Sequence, residues 1–292
     1  MSYDLVVASP APPSWRALRA LIALDDLRVR PDEPGEEGWP EGGLRLCRVG
    51  RSTRSTEVEW RDGKLTIVIR ALASPDDCDL ALRVADAAVR LTGAATVEAD
   101  YYGAIELAAL RRLHNADWMR EQAISGTRVL AALIREGKSP MGTLGPNRTC
   151  YLGTRTLAQL EAAGPPEGLS DRVLATIRRV QWDDVPGDFR DAGVFEQSSS
   201  GNGNGNGNGA PRKTRFAIWL SDENLVLPWV DYVALRVTDG EIVIVPFDAV
   251  AGLAGSHGTL FDECQLLVRA FSDDEWKQVV ARARPLAKLP RK

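Results

Sequence analysis

The run SSSGNGNGNGNGA at positions 198–210 constrains this 292-residue chain more than any other feature. Glycine and asparagine offer no apolar side chain to bury, and glycine loses the most backbone entropy when it is ordered. The run therefore reads as a flexible linker or a long loop between 1–197 and 211–292. The parts it separates differ electrostatically: 25 basic and 29 acidic residues precede it, against 11 of each from position 211 onward, so the whole formal charge of -4 lies on the N-terminal side. Each part is large enough to build a core, and 44% hydrophobic with 26% charged residues is an ordinary globular mixture.

Periodicity gives an α+β class. Residues 1–100 read as strand 4–8, helix 14–24, strands 44–49 and 65–71, helix 74–91 and strand 95–100. This is the βαββαβ order of a ferredoxin-like domain, with helices on one face of the sheet. Ser74, Pro75, Asp76 and Asp77 supply a cap, a first-turn proline and two acids at the positive end of the second helix. The acidic, Pro- and Gly-rich stretch 32–43 reads as a surface loop. Residues 101–197 are expected to be mostly helical, over 105–113, 117–135 and 170–180, with a short strand at 149–152 and a helix beginning near Thr154. After the run, strands are expected at 215–220, 225–237 and 241–246, the last two joined through Thr238-Asp239-Gly240. A strand at 265–270 leads to a helix over 273–284, with Ser272 and Glu275 as its capping box. This part is expected to be a β-hairpin with a closing helix. IVIRALASPDD at 67–77 echoes LLVRAFSDDEW at 266–276, as shared strand-to-helix chemistry or as a duplication.

Catalytic and metal signatures are missing. Cys47, Cys78, Cys150 and Cys264 stand at least 31 residues apart, which suits buried thiols rather than a zinc or redox pair, and there are only two histidines, His114 and His257. Ala254-Gly255-Ser256-His257-Gly258 imitates a nucleophile turn but lacks a downstream histidine, so a glycine-rich loop is the better reading. Gly142, Gly145 and Arg148, within Gly142-Thr-Leu-Gly145-Pro-Asn-Arg148, form a candidate anion cradle. Turn chemistry explains the same residues without a ligand. Trp229, Tyr232 and Trp219 are candidate anchors of a protein interface, with a place in the core as the competing reading. No catalytic residue, cofactor or metal ligand is expected.

The opening Ser2-Tyr3-Asp4-Leu5-Val6-Val7, followed by proline and a short helix, resembles the start of small bacterial immunity proteins that neutralise secreted toxins. The resemblance covers about a dozen residues. It implies a cytoplasmic, acidic protein that buries a toxin's active surface, and this chain is longer than many such proteins. The N-terminus lacks the charged and apolar regions of a signal peptide, and no apolar stretch reaches the roughly 20 residues of a membrane span. The expectation is a non-enzymatic cytoplasmic protein-binding protein, an immunity protein or an adaptor of a bacterial assembly or defence system. Its partner is another protein, with neither nucleic acid nor membrane as a partner. The alternative is a small-molecule-binding regulator or enzyme using the Gly142–Arg155 or His257 loops.

Overall fold

The computed structural model describes residues 2–30, 39–40, 42–137, 139–183, 185, 188–198, 213–237 and 240–287. Most of the 32–43 loop, the Gly/Asn run beyond 198 and turn positions 238 and 239 lie outside the described residues. The fold is mixed α+β, and the chain divides into two units, Met1–Asp184 and Val185–Lys292. Among the described residues no helix is long and apolar enough to cross a membrane.

The first unit opens with β1 (Ser2–Ala8), α1 (Trp15–Ile22), β2 (Leu27–Arg30), β3 (Leu44–Arg48), β4 (Thr56–Arg61) and β5 (Lys64–Arg70). It continues with α2 (Pro75–Thr92), β6 (Val97–Ala99) and β7 (Gly103–Ile105). Among the described residues these strands form a seven-stranded sheet in the order β2-β3-β4-β5-β1-β6-β7, antiparallel at every pairing. Period-two alternation buries Tyr3, Leu5 and Val7 on the same face as Leu65, Ile67 and Ile69. Helix α2 packs on β1, β3, β4 and β5, and α1 packs on α2. The start of α2 is a complete capping box: the Ser74 hydroxyl accepts from the Asp77 N–H, and the Asp77 carboxylate accepts from the Ser74 N–H.

The ferredoxin-like βαββαβ arrangement expected for residues 1–100 is not confirmed. The sheet has seven strands where four were expected: β2 and β7 extend it, and β4 lies between β3 and β5. Two of the strands, β2 (LRVR) and β4 (TEVEWR), lie outside the expected set. Both are short and place a charged or polar side chain at alternate positions, the pattern of a strand buried on one face only.

The unit is completed by α3 (Leu107–Leu113), α4 (Ala116–Glu136), the hairpin β8 (Met141–Leu144) and β9 (Thr149–Leu152), α5 (Thr154–Ala162) and α6 (Leu169–Trp182). Helix α4 contacts α2, α5, α6 and β8, and α6 contacts β9.

The second unit contains β10 (Phe189–Asp191), β11 (Val194–Ser198), β12 (Lys213–Trp219), β13 (Asn224–Leu227), β14 (Tyr232–Arg236) and β15 (Ile242–Pro246). After these come α7 (Val250–Ala254), β16 (Gly258–Leu260), β17 (Leu266–Val268) and α8 (Asp273–Ala283). Among the described residues the strands make two four-stranded sheets, β10-β13-β17-β16 and β11-β12-β14-β15. Trp219, Leu227, Val233, Val245, Leu266, Val268 and the inner face of α8 share one core.

The unit boundary falls ahead of the Gly/Asn run. β11, before the run, pairs antiparallel with β12, after it, so the run joins two neighbouring strands of one sheet. The stretch 225–237 is not one strand either. It breaks at Pro228 into β13 and β14, which belong to different sheets; proline has no N–H to offer a ladder.

Candidate functional site

In the sheet β11-β12-β14-β15, register decides which side chains share a face. Phe195 stands opposite Phe216, Phe216 opposite Tyr232, and Tyr232 opposite Pro246. Two residues further on, Ile218, Ala234 and Ile244 form the next row, followed by Ile242 and Arg236. The other face carries Ala217, Trp219, Val233, Leu235, Val243 and Val245, which fill the core.

The outer rows are also apolar. Phe195 and Phe216 stack with centroids 4.9 Å apart and planes 6° apart, and Phe216 stacks on Tyr232 at 5.6 Å. This ladder of three rings crosses three strands, and each such pair is worth about 0.5–1.5 kcal/mol beyond its area burial. Phe195 is 45% exposed, Ile218 38% and Ile242 61%, whereas Phe216 and Ala234 between them are buried. Gln197 and Thr214 border the rows at one end and Arg236 at the other. The arrangement is a set of apolar side chains with a polar rim.

The aromatic residues singled out in the sequence therefore separate. Tyr232 belongs to the outer ring ladder. Trp229 is 38% exposed, in the connection before β14. Trp219 is no surface anchor: it is fully buried, with Trp276 and Phe271 edge-on to it at 5.4 and 5.9 Å. Its position in β12, one residue out of phase with Phe216 and Ile218, turns it inward. Phe195 escaped notice because β11, fully exposed along its length, lacks the apolar alternation that marks a strand.

In the His257 loop both ring nitrogens have partners. Nδ1 of His257 lies 3.1 Å from the Ala270 carbonyl, Nε2 lies 3.3 Å from the Glu275 carboxylate, and the ring stacks on Phe271 at 4.2 Å. Both nitrogens thus tie the loop to the start of α8, whose capping box uses the same Glu275. Asp262 accepts from the N–H groups of Cys264 and Gln265 and from the Gln265 side chain, closing a tight turn. Burial pushes the Cys47 thiol up to about 11 and Cys78 up to about 12, away from thiolate reactivity. Among the described residues no group of three or more His, Cys, Asp or Glu side chains could hold a metal ion.

In the Gly142–Arg148 segment, proposed above as an anion cradle, the turn is held by a side chain of the protein itself. Gln181, buried on α6, accepts from the N–H groups of Asn147 and Arg148 at 2.9 and 3.0 Å and donates to the Arg148 carbonyl at 3.0 Å. The N–H groups of Asn147 and Arg148 are thus taken up by this side chain. Gly145 is glycine because a Cβ there would lie 2.3 Å from the Gln181 side chain. Gly142 sits opposite Tyr151, whose ring a Cβ would meet at 3.1 Å.

No family model matches this chain, and neither a curated protein nor a solved structure matches it.

Proposed function

We propose that this chain is a non-enzymatic protein-binding protein, and that the outer face of the sheet β11-β12-β14-β15 is its binding surface. The observation that carries the reading is the exposed apolar set Phe195, Ile218 and Ile242 on one strand face, around a ring ladder whose middle member, Phe216, is buried. Soluble chains rarely leave such contiguous apolar surface open unless it meets a partner. Rigid aromatic side chains are also the residues that most often carry binding energy.

In this reading the partner is another protein, presenting an apolar surface to the ring ladder. The immunity-type form of the reading adds that the partner is basic, steered by the acids that give the chain its charge of -4. The test is purification of the tagged chain from its own cell, beside a Phe195→Asp variant with an unchanged circular dichroism spectrum. A stoichiometric partner held by the native chain and lost from the variant supports the surface. A partner retained by the variant, or a native chain that is monomeric and alone, overturns it.

A further inference from the structure

The first unit collects arginines on the open face of its sheet. The alternation that sends Leu27, Val29, Leu44 and Leu46 into the core sends Arg28, Arg30 and Arg45 to the other side. Register then places Arg30 directly opposite Arg45. Like charges facing each other across a ladder are destabilising, and a chain with more acids than bases is not driven to this pairing by its composition.

A further arginine arrives from the β3–β4 connection. One oxygen of the buried Asp77 carboxylate accepts from the N–H groups of Thr53 and Arg54, each at 3.1 Å, and from the Thr53 hydroxyl at 2.9 Å. This fixes the backbone of Arg54 and leaves its side chain to reach the open face. Nε of Arg54 is buried without a hydrogen-bond partner. Burial, and then the neighbouring charge of Arg70, pull its pKa down, so the guanidinium is short of compensating charge. Arg70 itself is paired with Glu57.

The β8–β9 turn supplies the remaining wall. Asn147 Oδ1 accepts from Arg28 at 3.2 Å and from Arg30 at 3.5 Å, which holds the turn against β2. Between these elements lies a cavity of about 100 Å³, lined by Arg30, Arg45, Arg54, Arg70, Glu57 and the 144–147 turn. Four arginines face one glutamate.

We propose that this cavity is a binding site for a phosphoryl group, presented either as inorganic phosphate or as the monoester of a small metabolite. A tetrahedral dianion offers several acceptor oxygens to several guanidinium forks at once, whereas a carboxylate offers two oxygens and one charge. Cavities that enclose whole ligands run to roughly 300–1,000 Å³, so a cavity of this size takes the charged group and leaves the rest of the ligand outside. The site is independent of the outer sheet face of the second unit, and each stands or falls alone.

The test is a thermal-unfolding titration of the full chain at fixed ionic strength with inorganic phosphate, glycerol 3-phosphate and acetate. A ligand that binds only the folded state raises the unfolding temperature saturably. The expected result is such a rise with phosphate or the monoester, the tighter of the two identifying the source. Arg54→Gln and Arg45→Gln should each weaken binding at least about tenfold, the scale of one lost charged hydrogen bond. Arg83→Gln, which removes only the partner of Asp79 on α2, leaves binding unchanged. If Arg54→Gln fails to fold, Arg45→Gln, at an exposed strand position, carries the test. No saturable rise, an equal rise with acetate, or unchanged binding in the folded arginine variants overturns the assignment.

Discussion

The Tyr3 hydroxyl lies 2.6 Å from Nε2 of His114, a residue 111 positions further along the chain. Nδ1 of the same ring lies 2.8 Å from the Leu110 carbonyl, which can only accept, so Nδ1 carries the proton and Nε2 accepts from Tyr3. Trp118 packs edge-on to both rings, at 4.4 Å from His114 and 5.1 Å from Tyr3. The pair fastens the interior strand β1 to the end of α3, and the histidine is neutral in the fold.

That neutrality makes stability depend on pH. Burial pulls the His114 pKa below its ordinary value, so protonation favours the unfolded chain. The contribution is full above the unfolded value of about 6.5 and is lost as pH falls from there through the folded value. Urea midpoints should drop between about pH 7.5 and 5.5, a window in which ordinary carboxylates stay ionised. His114→Gln should flatten that drop. Tyr3→Phe, which leaves Nε2 without its donor, should destabilise by about 1–3 kcal/mol at neutral pH.

Asp77 should be among the least replaceable polar residues of the first unit. It is 1% exposed, and one of its oxygens takes donors from Ser74, Thr53 and Arg54. Asp77→Ala strands these donors and should cost about 3 kcal/mol or more in denaturant unfolding, with Asp77→Asn in between. A loss near that of a simple cap, about 1 kcal/mol, would show that water replaces the carboxylate.

Gly145 and Gln181 should behave as one unit. Gly145→Ala pushes a Cβ into the glutamine and should cost about 1–3 kcal/mol by overpacking. In Gln181→Ala the side chain that the new Cβ would meet is gone, together with its hydrogen bonds to the turn, so adding Gly145→Ala should cost much less. A double-mutant cycle on chemical-denaturation free energies measures this, and strict additivity would separate the two residues.

Two tryptophans provide a contrast within the second unit. Trp219→Ala empties a buried site between Trp276 and Phe271 and should destabilise by about 3–5 kcal/mol. Trp229→Ala, at a 38% exposed position, should cost under about 1 kcal/mol. Equal losses in calorimetry would contradict the difference in burial.

Local chemistry was the legible layer of this sequence. The cap at Ser74 and the box Ser272–Glu275 form where they were expected, and β5 with α2 repeats the strand-to-capped-helix step of β17 with α8. Strand Thr149–Leu152 falls where it was expected, although α5 starts from Gly153 without a side-chain cap at Thr154. What stayed hidden was pairing. How many strands join the sheet and which of them are neighbours depends on contacts between distant segments, and no local propensity encodes it. The arginine cavity was hidden for the same reason. Arg30, Arg45, Arg54 and Arg70 look scattered among acids along the chain, and register with a buried aspartate brings them together. The ring ladder was half visible, since Tyr232 stood out and Phe195 did not.

The Gly/Asn run connects strands that are neighbours in one sheet, and this makes it a poor place to divide the molecule into independent halves. A chain cut there leaves β10 and β11 on the N-terminal piece, while their partners β13 and β12 stay on the other. Two pieces made together should reassemble as a complemented pair, each supplying strands the other lacks. The run is therefore a natural seam for a split reporter, in which signal depends on reunion of the fragments.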